Sequence, residues 1–136
     1  CDRLTNIPGS SRYLRGGIVA YHNDLKADLL GVSGHLLARR GAVSAEGARA
    51  MAEGVRTKIG ASIGLSITGI AGPSGGTPAK PVGLVFIGLS DARASLTWRH
   101  QFYGTRETVK AQAAQTALNT LRLYLMGDSS AVKTPL

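Results

Sequence analysis

The sequence predicts an α/β domain of three layers, α/β/α, around a mixed, mostly parallel sheet. Three observations carry that expectation. Two short apolar runs, residues 16–21 (GGIVAY) and 62–68 (SIGLSIT), are separated by helical patterns, and strands joined through helices pair in parallel. Two later runs, 82–90 and 95–102, are separated only by residues 91–94, the spacing of a hairpin. The 136 residues, 43% hydrophobic and 18% charged, are one domain's length and can bury a core. With 5% aromatics and 18 glycines, that core should be aliphatic and the loops tight.

The elements follow in order. Residues 1–6 look like the end of a helix, which Asn6 and Pro8 stop, because proline lacks an N–H and biases its predecessor away from helix. Pro8, Gly9, Ser10 and Ser11 form a turn leading into a short helix through Leu14. Residues 16–21 read as a buried strand, being apolar and β-branched. Asn23 caps a helix over 24–30 that Gly31 ends, and Ser33 starts another that closes on Arg39 and Arg40. Ser44 caps the clearest early helix, 45–59, whose Ala45, Ala48, Met51, Ala52, Val55 and Ile59 share a face. Gly60 is its C-cap. Strands are expected at 62–68, 82–90 and 95–102, the last alternating with Leu96, Trp98 and His100 on one side. Thr105 caps a long helix over 106–125 with Val109, Ala113, Ala117, Leu121 and Leu125 as its stripe. Residues 127–136 read as a flexible tail. The order is β, α, α, α, β, β, β, α.

Charge narrows the function classes. Lys and Arg number 16 against 8 acidic residues, a net charge of +8. That suits phosphorylated small molecules, nucleic acid or an acidic partner. The basic residues are spread along the chain without a polybasic arm or an aromatic ladder, so a solvated basic surface is favoured over nucleic-acid binding. No apolar run approaches the roughly 20 residues of a membrane helix. Residues 1–15 are polar and broken by Gly, Pro and Ser, unlike a signal peptide, so the cytoplasm is the expected location. A single cysteine makes neither an internal disulfide nor a Cys-based zinc site. His22, His35 and His100 are scattered with no carboxylate or thiol at ligand spacing, so no metal is expected. Cys1, in a helix tail, is not expected to act as a nucleophile.

Chemistry concentrates at two places. The first is residues 68–81, TGIAGPSGGTPAKP, leaving the C-terminal end of a strand, where α/β proteins bind ligands. Gly69, Gly72, Gly75 and Gly76 let the backbone approach a ligand and offer N–H groups to an anion. The loop is not a Walker A loop, since Thr77 follows glycine instead of lysine. Nor is it a dinucleotide fingerprint, since no helix follows. The alternative is a wide turn using Gly and Pro for geometry alone. The second is Tyr21, His22, Asn23, Asp24, Leu25 and Lys26. A lysine near a helix N-terminus has its pKa lowered by the dipole and can act as a general base. From these residues alone, a solvated lysine is the favoured reading. Arg106, beside Gly104 and Thr105, either faces solvent or reaches an anionic ligand.

Together these segments resemble a known family. The carrying residues are Ile7, Pro8, Gly9, Ser10 and Ser11; Gly16 through Tyr21 with Asn23 and Lys26; Gly41, Ala42, Val43 and Ser44; Thr68, Gly69, Ile70, Ala71, Gly72 and Pro73; Gly75, Gly76 and Thr77; and Lys80, Pro81, Val82 and Gly83. Over residues 1–126 the chain resembles the C-terminal domain of the competence/damage-inducible protein CinA, a domain also found alone as the nicotinamide-nucleotide amidohydrolase PncC. The resemblance implies hydrolysis of the carboxamide of nicotinamide mononucleotide to nicotinic acid mononucleotide and ammonia, within pyridine nucleotide recycling. It implies a serine nucleophile with a lysine base and no cofactor. By motif position Lys26 is the base, Tyr21 its neighbour, and Thr68 helps polarise the substrate. Gly69, Gly72, Gly75, Gly76, Thr77 and Arg106 would bind the substrate. A homo-oligomer is expected.

The family's nucleophile lies in a Ser-Cys-Thr-Gly-Gly motif just before the segment matching Cys1, Asp2, Arg3, Leu4 and Thr5. That motif is not among these 136 residues, so the chain as it stands is expected not to run the serine mechanism. Two other readings remain open. One is a non-catalytic nucleotide-binding or assembly module of the same fold. The other is a DNA-associated competence or damage-response protein.

Overall fold

The computed structural model describes residues 1–128. In chain order the elements are α1 (Asp2–Thr5), a 3-10 turn (Ser10–Arg12), α2 (Asn23–Leu30), α3 (Gly34–Arg40), α4 (Ala45–Ile59), β1 (Gly64–Gly69), β2 (Leu84–Ser90), β3 (Ser95–Gln101) and α5 (Arg106–Leu125). The two long helices start where their caps dictate. Ser44 Oγ accepts from the Gly47 N–H at 3.0 Å, and Thr105 Oγ1 accepts from the Thr108 N–H at 3.3 Å. Such a cap typically contributes about 1 kcal/mol. Gly60 ends α4 in the left-handed conformation, φ 66, donating back to Arg56 and Thr57 carbonyls. Asn23 is the first residue of α2, not its cap; His22 holds the cap position and makes no side-chain bond there.

The sheet has three strands in the order β1-β2-β3, and both pairings are antiparallel. Ile67 lies opposite Ile87, and Ile87 opposite Trp98. This corrects the mixed, mostly parallel sheet expected from the sequence. The physical reason lies between β1 and β2. Parallel pairing needs a crossover of a dozen or more residues, usually a helix. Residues 70–83 contain none. Instead the Ile70 N–H donates to Leu84 O at 2.9 Å and the Gly83 N–H to Ile70 O at 2.7 Å, so the chain doubles back on itself as a long hairpin.

The expected buried strand at 16–21 is the second correction. No strand among the described residues pairs with it, and its side chains are not buried: Val19 is 88% exposed and Tyr21 75%. The run is anchored instead through Arg15, whose Nε donates to Ile59 O at 3.1 Å. Without that strand, the helix-separated pair that implied a parallel crossover disappears. Leu125, expected in the α5 stripe, is 64% exposed. Of the expected tail, residues 129–136 lie outside the described residues.

Helices cover both faces of the sheet. On one, Val85, Ile87, Leu89 and Trp98 pack with Val109, Ala113 and Ala117 of α5. On the other, Leu84 and Phe86 pack with Ala48 of α4. The α4 face is drawn in by glycine. A Cβ on Gly88 would lie 2.4 Å from Ala48 O, and one on Gly64 2.0 Å from Ala52 O. Helix and sheet therefore meet backbone to backbone. Ser66 Oγ donates to Ala48 O at 2.6 Å, satisfying a polar side chain inside that seam.

Candidate functional site

The end of β1 and the loop after it open onto a cleft of about 500 Å³. Residues from five other places complete its wall: Ala20 and Tyr21, Lys26 of α2, Ala42 and Val43 between α3 and α4, Met51 of α4, and Arg106 of α5. No Asp or Glu lines it, while Lys26 and Arg106 do. An acid-free cleft with two cationic groups favours an anionic ligand.

Lys26 is 7% exposed, so the solvated reading of this lysine is wrong. Helical side chains lean toward the helix N-terminus. Lys26, one turn into α2, accordingly folds back so that Nζ donates to Tyr21 O at 2.8 Å and to His22 O at 3.4 Å. Burial lowers its pKa, and the carboxylate of Asp24 partly opposes the shift. The direction agrees with the sequence argument, with desolvation as the largest cause. A lysine held this way keeps a larger neutral fraction than one in water, as a general base requires.

Thr68, 7% exposed, donates its hydroxyl to Ala42 O at 3.0 Å. Its oxygen retains lone pairs to accept a hydrogen bond. Gly69 has no room for a side chain: a Cβ would lie 2.6 Å from Val85 Cγ2 and 2.8 Å from Leu84 O. Gly72 and Gly75 hold φ 80 and 89, a conformation side chains disfavour, and both line the cleft. Arg106 donates to Gly72 O at 3.0 Å and to the Tyr21 hydroxyl at 3.2 Å, tying loop, α5 and the 16–21 run together at the cleft.

The structure thus gathers Tyr21, Lys26, Thr68, Gly69, Gly72, Gly75 and Arg106 around one cleft. Gly76 and Thr77 are not in its wall. Gly76 backs onto Val82, where a Cβ would meet the Val82 nitrogen at 2.8 Å, and Thr77 forms a turn with Lys80. Sequence reasoning did not single out Met51 or Ser74 as cleft residues. Met51 read only as part of a helical stripe, which is also how it is spaced. His100 stands apart, stacked on Phe102 at 5.5 Å, with its pKa lowered by burial. Among the described residues, no three of His, Cys, Asp and Glu gather as a metal site. No helix among them is long and apolar enough to cross a membrane.

Comparison with known proteins decides the family. The model of the CinA C-terminal domain matches residues 1–125. The chain belongs to the CinA C-terminal domain family. A CinA-like protein of Desulfotalea psychrophila is 48% identical over 127 residues, 93% of this chain and 31% of its own length. A CinA-like protein of Thermotoga maritima is 48% identical over 124 residues, 91% of this chain and 30% of its own. The chain therefore spans about a third of the length of these relatives. Among solved structures, the competence damage-inducible protein A from Klebsiella pneumoniae superposes with a TM-score of 0.88 at 30% identity, covering 92% of this chain and 78% of that one. The competence/damage inducible protein CihA from Agrobacterium tumefaciens gives 0.84 at 39% identity, covering 88% and 74%. Most of the cleft's lining lies in the segments that carried the resemblance to CinA, while Met51, Ile67, Ser74 and Arg106 lie outside them.

Proposed function

We propose that this CinA domain forms the substrate pocket of a nicotinamide-nucleotide amidohydrolase of the PncC type, releasing ammonia from nicotinamide mononucleotide. The observation that carries this reading is the buried, pKa-lowered Lys26 sharing an acid-free cleft with Arg106. In this reading Arg106 meets the nucleotide's anionic part. Neutral Lys26 takes the proton from a serine hydroxyl as its oxygen bonds to the carboxamide carbon. Backbone N–H groups after Thr68 stabilise the tetrahedral oxyanion, and Thr68 orients the amide. The protonated Lys26 then gives its proton to the departing nitrogen, which leaves as ammonia. Water hydrolyses the ester in a second round of the same proton transfers. The serine belongs to the Ser-Cys-Thr-Gly-Gly motif that the resemblance implies. The reading places the domain in the cytoplasm as a homo-oligomer.

Two measurements test it. Calorimetry of the 136-residue chain with nicotinamide mononucleotide should show binding. Ammonia release should appear when the chain is preceded by the serine motif, and vanish in Lys26→Ala with the fold intact. Binding without ammonia release from the longer form would favour a non-catalytic nucleotide-binding module. Near-normal turnover in Lys26→Ala would remove Lys26 as the base.

A further inference from the structure

Lys80 does not line the cleft, yet its ammonium donates to the carbonyl of Arg40, forty residues upstream, at 2.5 Å. Arg40 is the last residue of α3, and its carbonyl is one of those a helix end leaves without an intrahelical partner. A cation there also complements the negative end of the helix. Gly41 follows at φ 75, and a Cβ on it would lie 3.2 Å from Lys80 Nζ, so this position leaves the ammonium its seat. The Arg40 side chain is itself held, its Nε 3.1 Å from Glu46 Oε1 in the first turn of α4.

On its own side Lys80 closes a turn. Its N–H donates to Thr77 O at 3.1 Å and to Thr77 Oγ1 at 3.0 Å, and the Thr77 N–H donates to Lys80 O at 2.8 Å. The lysine therefore joins a braced turn in the glycine loop to the end of α3. Both partners lead directly into the cleft wall. Beyond Arg40 come Ala42 and Val43; ahead of Thr77 come Gly72, Ser74 and Gly75. From the sheet, the linker after Arg40 is held by the Thr68 hydroxyl, which donates to Ala42 O, and by Val43 packing against the cluster of Leu84 and Phe86.

We propose that Lys80 is a positioning residue: its ammonium latches the loop of residues 70–83 onto the C-terminal end of α3 at Arg40, where the linker of residues 41–44 begins, and so fixes the spacing of two stretches of the cleft wall. It touches no ligand. The idea rests on the cleft being the ligand site proposed above, but the latch itself is readable without ligand.

Hydrogen–deuterium exchange on the 136-residue chain, in Lys80→Met and Lys80→Arg, tests the latch. In Lys80→Met, exchange should rise about tenfold in residues 38–44 and 72–82 together, with β2 and α5 unchanged, and Lys80→Arg should restore both. Lys80→Gln, which keeps a neutral donor, serves if Lys80→Met does not fold, and should give an intermediate rise in both segments. Calorimetry with nicotinamide mononucleotide should show about tenfold weaker binding in Lys80→Met, recovered in Lys80→Arg, with little change in Tm. A rise confined to 72–82, no rise at all, or failure of arginine to restore it overturns the latch. Wild-type chain that binds no nucleotide overturns the functional reading, while the exchange pattern still decides the latch.

Discussion

Arg106 is 85 residues from Tyr21 in sequence, yet its guanidinium donates to the Tyr21 hydroxyl at 3.2 Å while another of its nitrogens donates to Gly72 O at 3.0 Å. A planar fork serves two acceptors at once, which a lysine ammonium on a flexible stem does less well. Both side chains are exposed, so the arrangement costs little to break in the free protein and matters chiefly to a ligand. Arg106→Lys is expected to weaken nicotinamide mononucleotide binding about tenfold by calorimetry. Tyr21→Phe should have a smaller effect in the same assay, since it removes one acceptor and keeps the charge. Unaltered affinity in Arg106→Lys would count against a ligand role for the fork.

Lys26 makes a prediction about pH. Its pKa is lowered in the folded chain from 10.5, first by burial. Below 10.5 the unfolded chain therefore binds more protons at this residue than the folded one. Stability contributed by this site rises as pH climbs through the folded pKa toward 10.5. Lys26→Met removes the titration. The urea midpoint of the wild type should rise relative to that of the variant as the pH rises. Parallel midpoints across that range would contradict the burial-driven shift.

Asp91 gives a second pH dependence of the same sign, this one in acid. The Tyr124 hydroxyl, donating at 2.8 Å, lowers its pKa from 3.8 to about 2, helped by the backbone N–H groups of Ala94 and Arg93. A carboxylate whose pKa is depressed by folding stabilises the fold fully above 3.8 and loses that contribution as pH falls toward about 2. Asp91→Asn and Tyr124→Phe should each flatten the fall of Tm over that window. The bond also pins the β2–β3 turn to α5, so both variants should loosen exchange at residues 91–94.

Thr68 offers a test of the cleft wall itself. Thr68→Val keeps the shape but leaves Ala42 O without its donor, and should cost about 1–2 kcal/mol by urea unfolding. Thr68→Ser retains the hydroxyl and should recover most of it. A loss in Thr68→Ser with none in Thr68→Val would point to the methyl group's packing instead.

The long helices were legible because their signals are local: Ser44 and Thr105 cap within three residues of themselves. The hairpin of β2 and β3 was legible for the same reason, through its short link. The run at 16–21 was not, because an apolar, β-branched stretch describes an extended chain and says nothing of what pairs with it. Strand direction failed with it. In the site, Tyr21, Lys26, Thr68 and Arg106 were singled out and converge on one cleft. The burial of Lys26 was not readable, since it is made by tertiary packing around the start of α2. The family resemblance gives Thr77 as a substrate residue; its hydroxyl accepts from the Lys80 N–H.

The glycine seam between α4 and the sheet makes the two sides of this domain unequal in how they tolerate mutation. On the α5 side, Trp98, Ile87 and Val109 are fully or nearly buried, and trimming any of them leaves a void. Along the seam on the α4 side, Ala48 and Ala52 are already at the smallest chiral side chain, and Gly64 and Gly88 carry none, so at these four positions there is almost nothing to trim. Damage at those four positions comes from growth, where one added methyl must push a helix off a sheet. Sequence drift in this fold is thus bounded from below in the α5-side core and from above along the seam.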